Sequence, residues 1–375
     1  MRNTPLTALT AAMKMRLLIV VLLMTILPLR LQAQENTLQT GINLLHQGKL
    51  KEALVIIEEL ADQRPQDGRV QVTFGYVLLR SGDYERAGKV LRSALSTTGE
   101  EGEIHRLLAE IAAQQGDFPL AFEEIEKALI LAPQNKETLA LKEKLRKEWQ
   151  IEEKMAKNFG GNFTVTFEGG GEELGNSALS TLEEAYVDLG SRFQLWPTEK
   201  TEVILYGNRD FKSLTNAPDW SGGLFDGKIR IPVGGVTGMN ENLRRILYHE
   251  YAHLLIRSLA RNHGPLWLNE GLAQWAAGES STLLKLRRTK GRELIPFSQF
   301  ENSFTSLSAT EVSLAYAQSL SLTKFLVERF GEAQVIDVLR ALGTGADFQV
   351  AGAEILAPWG GDFNELVQAW QKTVP

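Results

Sequence analysis

The chain predicts an α-helical repeat array followed by an α+β domain, and three observations carry that prediction. Glycine, alanine and a large apolar residue recur in columns 34 residues apart between residues 48 and 121. Beyond residue 159, short runs alternating apolar and polar residues, the period of a strand, are interleaved with longer runs of helical period. One of those helical runs carries His249-Glu250-Tyr251-Ala252-His253, and a second, after Gly264-Pro265, carries Asn269-Glu270-Gly271.

The 375 residues suggest two domains and a short leader: 1–33, 34–158 and 159–375. At 43% hydrophobic and 23% charged, the composition is that of globular protein. A net charge of −6, with no basic stripe, argues against a nucleic-acid partner. The absence of cysteine excludes disulfides, a thiolate metal site, a cysteine nucleophile and a lipid anchor on cysteine.

In the leader, Lys14 and Arg16 precede the thirteen-residue run Leu17–Leu29, apolar but for Thr25, and Leu31-Gln32-Ala33 offers a cleavage point. The run is shorter than the roughly 20 residues of a membrane span. The expectation is a signal peptide, a periplasmic or secreted bacterial protein, and no stable membrane insertion once the leader is removed.

Within 34–158 the columns are Gly48, Gly82, Gly116; then Leu50, Tyr84, Phe118; then Ala53, Ala87, Ala121; then Leu60, Ala94, Ala128. Pro65 and Pro133 stand two periods apart. Glycine makes the turn between antiparallel helices, alanine lets them approach closely, the large residue packs beneath the next unit, and proline stops the second helix. The pattern resembles three tetratricopeptide repeats, at 34–67, 68–101 and 102–135, and residues 136–158 read as a polar capping helix. The resemblance implies a groove for a peptide or a protein partner; a spacer arm is the other reading.

Phe159-Gly160-Gly161 reads as the linker into 159–375. Phe163–Phe167 and Thr201–Tyr206 have strand patterns, separated by a helix over Ala178–Phe193 and followed by a short helix around Arg209–Leu214. In Asp226–Val233, Ile229, Ile231 and Val233 alternate with Lys228, Arg230 and Pro232. The proline points to an exposed edge strand, able to pair with an extended peptide.

Leu243, Ile246, Leu247, Leu254, Leu255 and Leu259 place the next segment on an amphipathic helix, capped by Asn240 with Glu241 in its first turn. His249 and His253, four residues apart, share one face of it, a spacing that lets both bind one Zn²⁺. Glu250 lies about 100° round the helix, beside the metal, where it can take a proton from water. Structural zinc usually has four protein ligands, often with cysteine, whereas catalytic zinc commonly has three and an open position. The third ligand expected here is Glu270. His263, in the following turn, is expected to be a loop residue rather than a ligand. Gln274 is expected to be a plain helix residue, with a hydrogen bond to a ligand imidazole as the alternative. A last long helix spans Glu311–Phe330 and carries Tyr316-Ala317-Gln318-Ser319.

His249-Glu250-Tyr251-Ala252-His253 with Trp267-Leu268-Asn269-Glu270-Gly271-Leu272-Ala273 resembles the gluzincin metallopeptidases, and among them the peptidase MA-like domains of bacterial proteins that often carry tetratricopeptide repeats. The resemblance runs from about residue 162 to the C-terminus. It implies a zincin-like fold, zinc held by His249, His253 and Glu270, and Glu250 as base. It also places Tyr316 in a Tyr-x-x-Ser segment downstream of the third ligand, where a hydroxyl could face a developing oxyanion. Trp-Leu-Asn-Glu-Gly is similar to the M1 aminopeptidases too, but their Gly-x-Met-Glu-Asn segment is absent. Gly238-Met239-Asn240-Glu241-Asn242 only echoes it.

The resulting expectation is a zinc-dependent peptidase, an endopeptidase by the lack of any terminus-binding signature, acting on a peptide or protein. The alternative is a periplasmic scaffold whose peptidase-like domain is a zinc-stabilised, non-catalytic binding module.

Overall fold

The computed structural model describes residues 35–374 except 48, 97, 98, 100, 169, 170, 216–222, 226, 262, 281–293, 302, 305, 306 and 357–362. The expected leader lies outside these residues. The chain divides into two compact units, residues 1–80 with 85–104, and residues 81–84 with 105–375.

The helices follow the 34-residue columns. They are α1 (35–46), α2 (Leu50–Gln63), α3 (Gly68–Arg80), α4 (Tyr84–Ala94), α5 (Glu101–Gln114) and α6 (Phe118–Leu131). Ala53, Ala87 and Ala121 are all fully buried, as close helix approach requires. Gly82 and Gly116 take φ of +80° and +78°, the left-handed turn that only glycine enters cheaply. Pro65 and Pro133 each stand two residues past a helix end. Gly48 lies outside the described residues.

In the second unit, α7 (Lys136–Glu152) starts at Asn135, whose side chain accepts from the Thr138 amide at 2.8 Å. Leu145 on α7 joins Ala109, Ala112, Phe118, Ala121 and Ile125 in one core. A five-stranded sheet follows: β1 (Ala156–Phe159), β2 (Phe163–Phe167), β3 (Thr201–Tyr206), β4 (Leu224–Phe225) and β5 (Ile229–Pro232), in the order β1-β2-β3-β5-β4. β2, β3 and β5 run parallel, and the two outer strands run antiparallel to their neighbours.

The expected linker is a hairpin turn. The Gly160 amide donates to the Phe163 carbonyl at 2.8 Å, and β1 pairs with β2 across it, Phe159 opposite Thr164. The boundary expected at 158/159 therefore runs through a β-hairpin, because a Gly-Gly pair serves a linker and a tight turn equally well.

Phe163, Val165, Val203, Leu205, Ile229 and Ile231 line one face of the sheet, packed on α8 (Glu172–Phe193) and on α10 (Glu241–Ala260). On the other face Ile204 and Tyr206 pack with Phe211 of α9 (Asn208–Thr215) and with Ile151 of α7. Both faces are covered, so Thr164 and Thr166 are buried like the apolar residues they alternate with.

The strand at Asp226–Val233 departs from expectation for the same reason. β5 is interior, with β4 on its outer side, and Lys228 and Arg230 are only 1% and 4% exposed. Arg230 donates to Glu148 at 2.6 Å and to the Tyr206 hydroxyl at 2.6 Å, and Tyr206 donates to Glu152. Lys228 lies 3.4 Å from Glu148 and 3.6 Å from Glu152, over the Phe118 ring. Burial alone would raise the Glu148 carboxyl, but Arg230 and Lys228 hold it below its ordinary value. Burial raises Glu202 nearby.

Beyond α10 come α11 (Leu266–Ala276), α12 (Ala309–Phe330), α13 (Glu332–Gly343), α14 (Phe348–Ile355) and α15 (Phe363–Gln371). Among the described residues no helix is long and apolar enough to cross a membrane.

Candidate metal centre

Asn240 caps α10, its side chain accepting from the Leu243 amide at 2.9 Å. Leu243, Leu247, Tyr251 and Leu255 bury one side of the helix, with the Tyr251 ring edge-on to Phe163 of β2 at 5.2 Å. That anchorage turns His249 and His253 toward α11 and Glu250 toward Gly223, just before β4. On α11, Trp267, Leu268 and Leu272 are buried in the core, which turns Glu270 back toward the two imidazoles.

The ligand atoms form a small triangle. Nε2 of His249 and Nε2 of His253 are 3.0 Å apart, and each lies 3.6 Å from Oε2 of Glu270. Zinc bonds of about 2.0–2.1 Å at tetrahedral angles separate donor atoms by about 3.3 Å, so the triangle has the size of one face of such a site. Among the described residues, the buried Oε2 of Glu270 has no hydrogen-bond partner, a need that a cation would satisfy. These three residues form a group able to hold a metal ion.

Nδ1 of His253 lies 2.8 Å from Oδ1 of Asn269. With the amide oxygen accepting, Nδ1 carries the proton and Nε2 is left with its lone pair toward the triangle. Burial holds His253 down to about 4, which keeps it neutral. Burial opposes charge on His249 as well, but the Glu270 carboxylate that its ring faces and the charge of Glu250 raise it. Burial would also raise Glu270, and the histidines bring it below its ordinary value.

Glu250 is buried beside the triangle, and burial pushes it up to about 7, with Glu270 adding to the shift and His249 opposing it. Tyr316 is half-buried on α12, its ring edge-on to Phe304 at 4.9 Å. Burial, and the carboxylates of Glu270 and Glu250, keep its hydroxyl protonated far above the usual range. The structure thus brings His249, Glu250, His253, Glu270 and Tyr316 to one place.

His263 stands outside this group, its Nδ1 donating to the Leu342 carbonyl at 3.0 Å. Gln274 does not follow its imidazole reading: its amide donates to the carbonyls of Glu270 at 3.2 Å and Tyr316 at 3.0 Å, tying α11 to α12. Gly271 allows that crossing, because a Cβ there would collide with the Ser319 carbonyl and the Thr323 hydroxyl. Sequence reasoning quoted Asn269 and Gly271 without giving them work. The signal was their place on either side of Glu270.

The family model described as Peptidase MA superfamily matches residues 183–375, more than half of the chain. The chain belongs to the Peptidase MA superfamily. The matched span of this Peptidase MA domain contains α10, α11 and α12, and with them every residue of the candidate centre. The tetratricopeptide repeat model matches residues 44–111, which establishes the N-terminal helices as tetratricopeptide repeats. No curated protein matches the chain.

Proposed function

We propose that the Peptidase MA domain is a zinc-dependent peptidase that hydrolyses internal peptide bonds, and that the repeats bind a peptide or protein partner. The observation that carries this is the triangle of two imidazole nitrogens and one carboxylate oxygen with the Glu250 carboxylate beside it. Two imidazoles and a carboxylate suit zinc, and three protein ligands rather than four are the catalytic pattern. When bound, zinc would supply Lewis acidity for a water and a substrate carbonyl.

The remaining work falls to the chain itself. Glu250 takes a proton from the attacking water and returns it to the departing amine. Its raised affinity for protons suits both halves of that cycle. Tyr316, held as the neutral phenol, donates a hydrogen bond to the oxyanion as the carbonyl becomes tetrahedral. Asn269 fixes the His253 tautomer, and the buried walls of α10 and α11 exclude water.

The leader pattern at residues 1–33 supports export to the periplasm or beyond as part of the same proposal. The repeat match supports the rival reading to one extent, since such repeats bind proteins whether or not the other domain hydrolyses anything. Elemental analysis of purified protein beside Glu270→Ala separates the two. About one zinc per wild-type chain, lost in the variant, is the expected result. Loss of peptide hydrolysis in Glu250→Gln with zinc retained completes it. A zinc-loaded wild type inert on a broad peptide library, yet binding a partner through residues 35–131, would favour the scaffold.

A further inference from the structure

Arg257 lies one helical turn beyond His253 on α10, on the same side of the helix. Its Nη1 donates to the Phe225 carbonyl at 2.8 Å, and its guanidinium carbon stands 5.1 Å from the centre of the Phe225 ring. Phe225 ends β4, an edge strand two residues long. Among the described residues β4 pairs with β5, Leu224 opposite Arg230 and Phe225 opposite Ile229. So short a ladder fixes little by itself, whereas a guanidinium on a carbonyl is a charge-assisted bond with defined direction.

Just before β4, Gly223 lies across the side chain of Glu250. A Cβ at position 223 would sit 2.6 Å from Oε1 of Glu250 and 2.8 Å from its Cδ and Cγ. The main chain therefore passes directly against the proposed base, and two residues further on it is fastened to the helix that carries that base. The geometry points to Arg257 as a positioning residue that holds the edge strand against Glu250 and so sets the gap a substrate main chain must enter. At Gly223 the approach is so close that a Cβ would collide with Glu250. This role rests on Glu250 being the base, but the fastening itself does not.

The test uses the full chain loaded with zinc, as wild type, Arg257→Leu, Arg257→Lys and Gly223→Ala. Three readouts are taken: zinc per chain, hydrogen exchange of the amides over residues 223–231, and kcat and KM on a fluorogenic peptide library. Arg257→Leu is expected to keep its zinc, lose exchange protection in that segment and lose about a hundredfold in kcat, with KM changed much less. Arg257→Lys, which still reaches the carbonyl with one donor, is expected to recover most of both. Gly223→Ala is expected to keep its zinc and lose turnover to a similar extent. Wild-type exchange and turnover in Arg257→Leu would overturn the proposal. If no protein hydrolyses any peptide, exchange alone decides: a loss in Arg257→Leu restored by lysine keeps the fastening and sinks the peptidase reading. Unchanged exchange sinks the fastening. If Arg257→Leu does not fold, Arg257→Lys and Gly223→Ala carry the test, and wild-type kcat in Gly223→Ala overturns it.

Discussion

Asn269 and His253 are joined across two helices, amide oxygen to Nδ1 at 2.8 Å, so the residue just before Glu270 orients the His253 ring. Groups that hold a ligand imidazole in this way typically change metal affinity about 10–100-fold when removed. Asn269→Ala should weaken zinc by that order. A competition titration against a chelator would read it, and equal affinities would show that the α10 backbone alone sets the His253 ring.

Tyr316→Phe removes one hydroxyl from beside the two carboxylates and leaves the ring on Phe304 in place. Zinc content should be unchanged. The turnover number should fall about 10²–10³-fold, the usual cost of one oxyanion donor. A variant with wild-type kcat would leave Tyr316 as a packing residue against Phe304.

Gly271→Ala places a methyl where the Ser319 carbonyl and Thr323 hydroxyl already stand. Neither neighbour is the far end of a flexible side chain, so α11 and α12 must part. Overpacking of this kind costs about 1–3 kcal/mol, more where backbone must move. Thermal melts should show the loss, and zinc should be held less tightly because Glu270 shifts with α11.

The Glu148 carboxyl sits below its ordinary value because of Arg230 and Lys228. A depressed carboxylate stabilises the fold fully above its unfolded value of about 4.3, and the contribution is lost as pH falls through the lower folded value. Glu202, raised by burial, acts in the opposite sense, so the informative comparison is between proteins. Arg230→Met should cost about 3–5 kcal/mol at neutral pH, by leaving two buried carboxylates to the single cation Lys228. It should also lose less stability than wild type between about pH 5 and 3. Thermal melts across that range give the answer, and parallel curves would mean that Glu148 is not held by Arg230.

Much of the fold was legible because periodicity records burial directly. The 34-residue columns fell on helix turns and fully buried alanines, and the leucines around His249 fell on the core side of α10. The residues gathered at the centre were legible because one helix at fixed spacing supplies most of them. The sheet was harder. Lys228 and Arg230 looked like a wet strand face, since a buried cation and a solvated one have the same letter. Only α7, eighty residues earlier in the chain, supplies the carboxylates that bury them. Arg257 was invisible for a similar reason: its partner is a main-chain carbonyl on a strand too short to have a pattern.

Helix α7 belongs to two cores at once, Leu145 to that of the last repeat and Ile151 to the outer face of the sheet. The last repeat and the Peptidase MA domain therefore form one cooperative block, and where a gene is cut will matter. A fragment begun at Phe159 would lack α7 and all but one residue of β1, baring the edge of β2 and two uncompensated cations, an invitation to aggregation. The shortest fragment expected to stay soluble begins near His105, well inside what sequence alone would assign to the repeats.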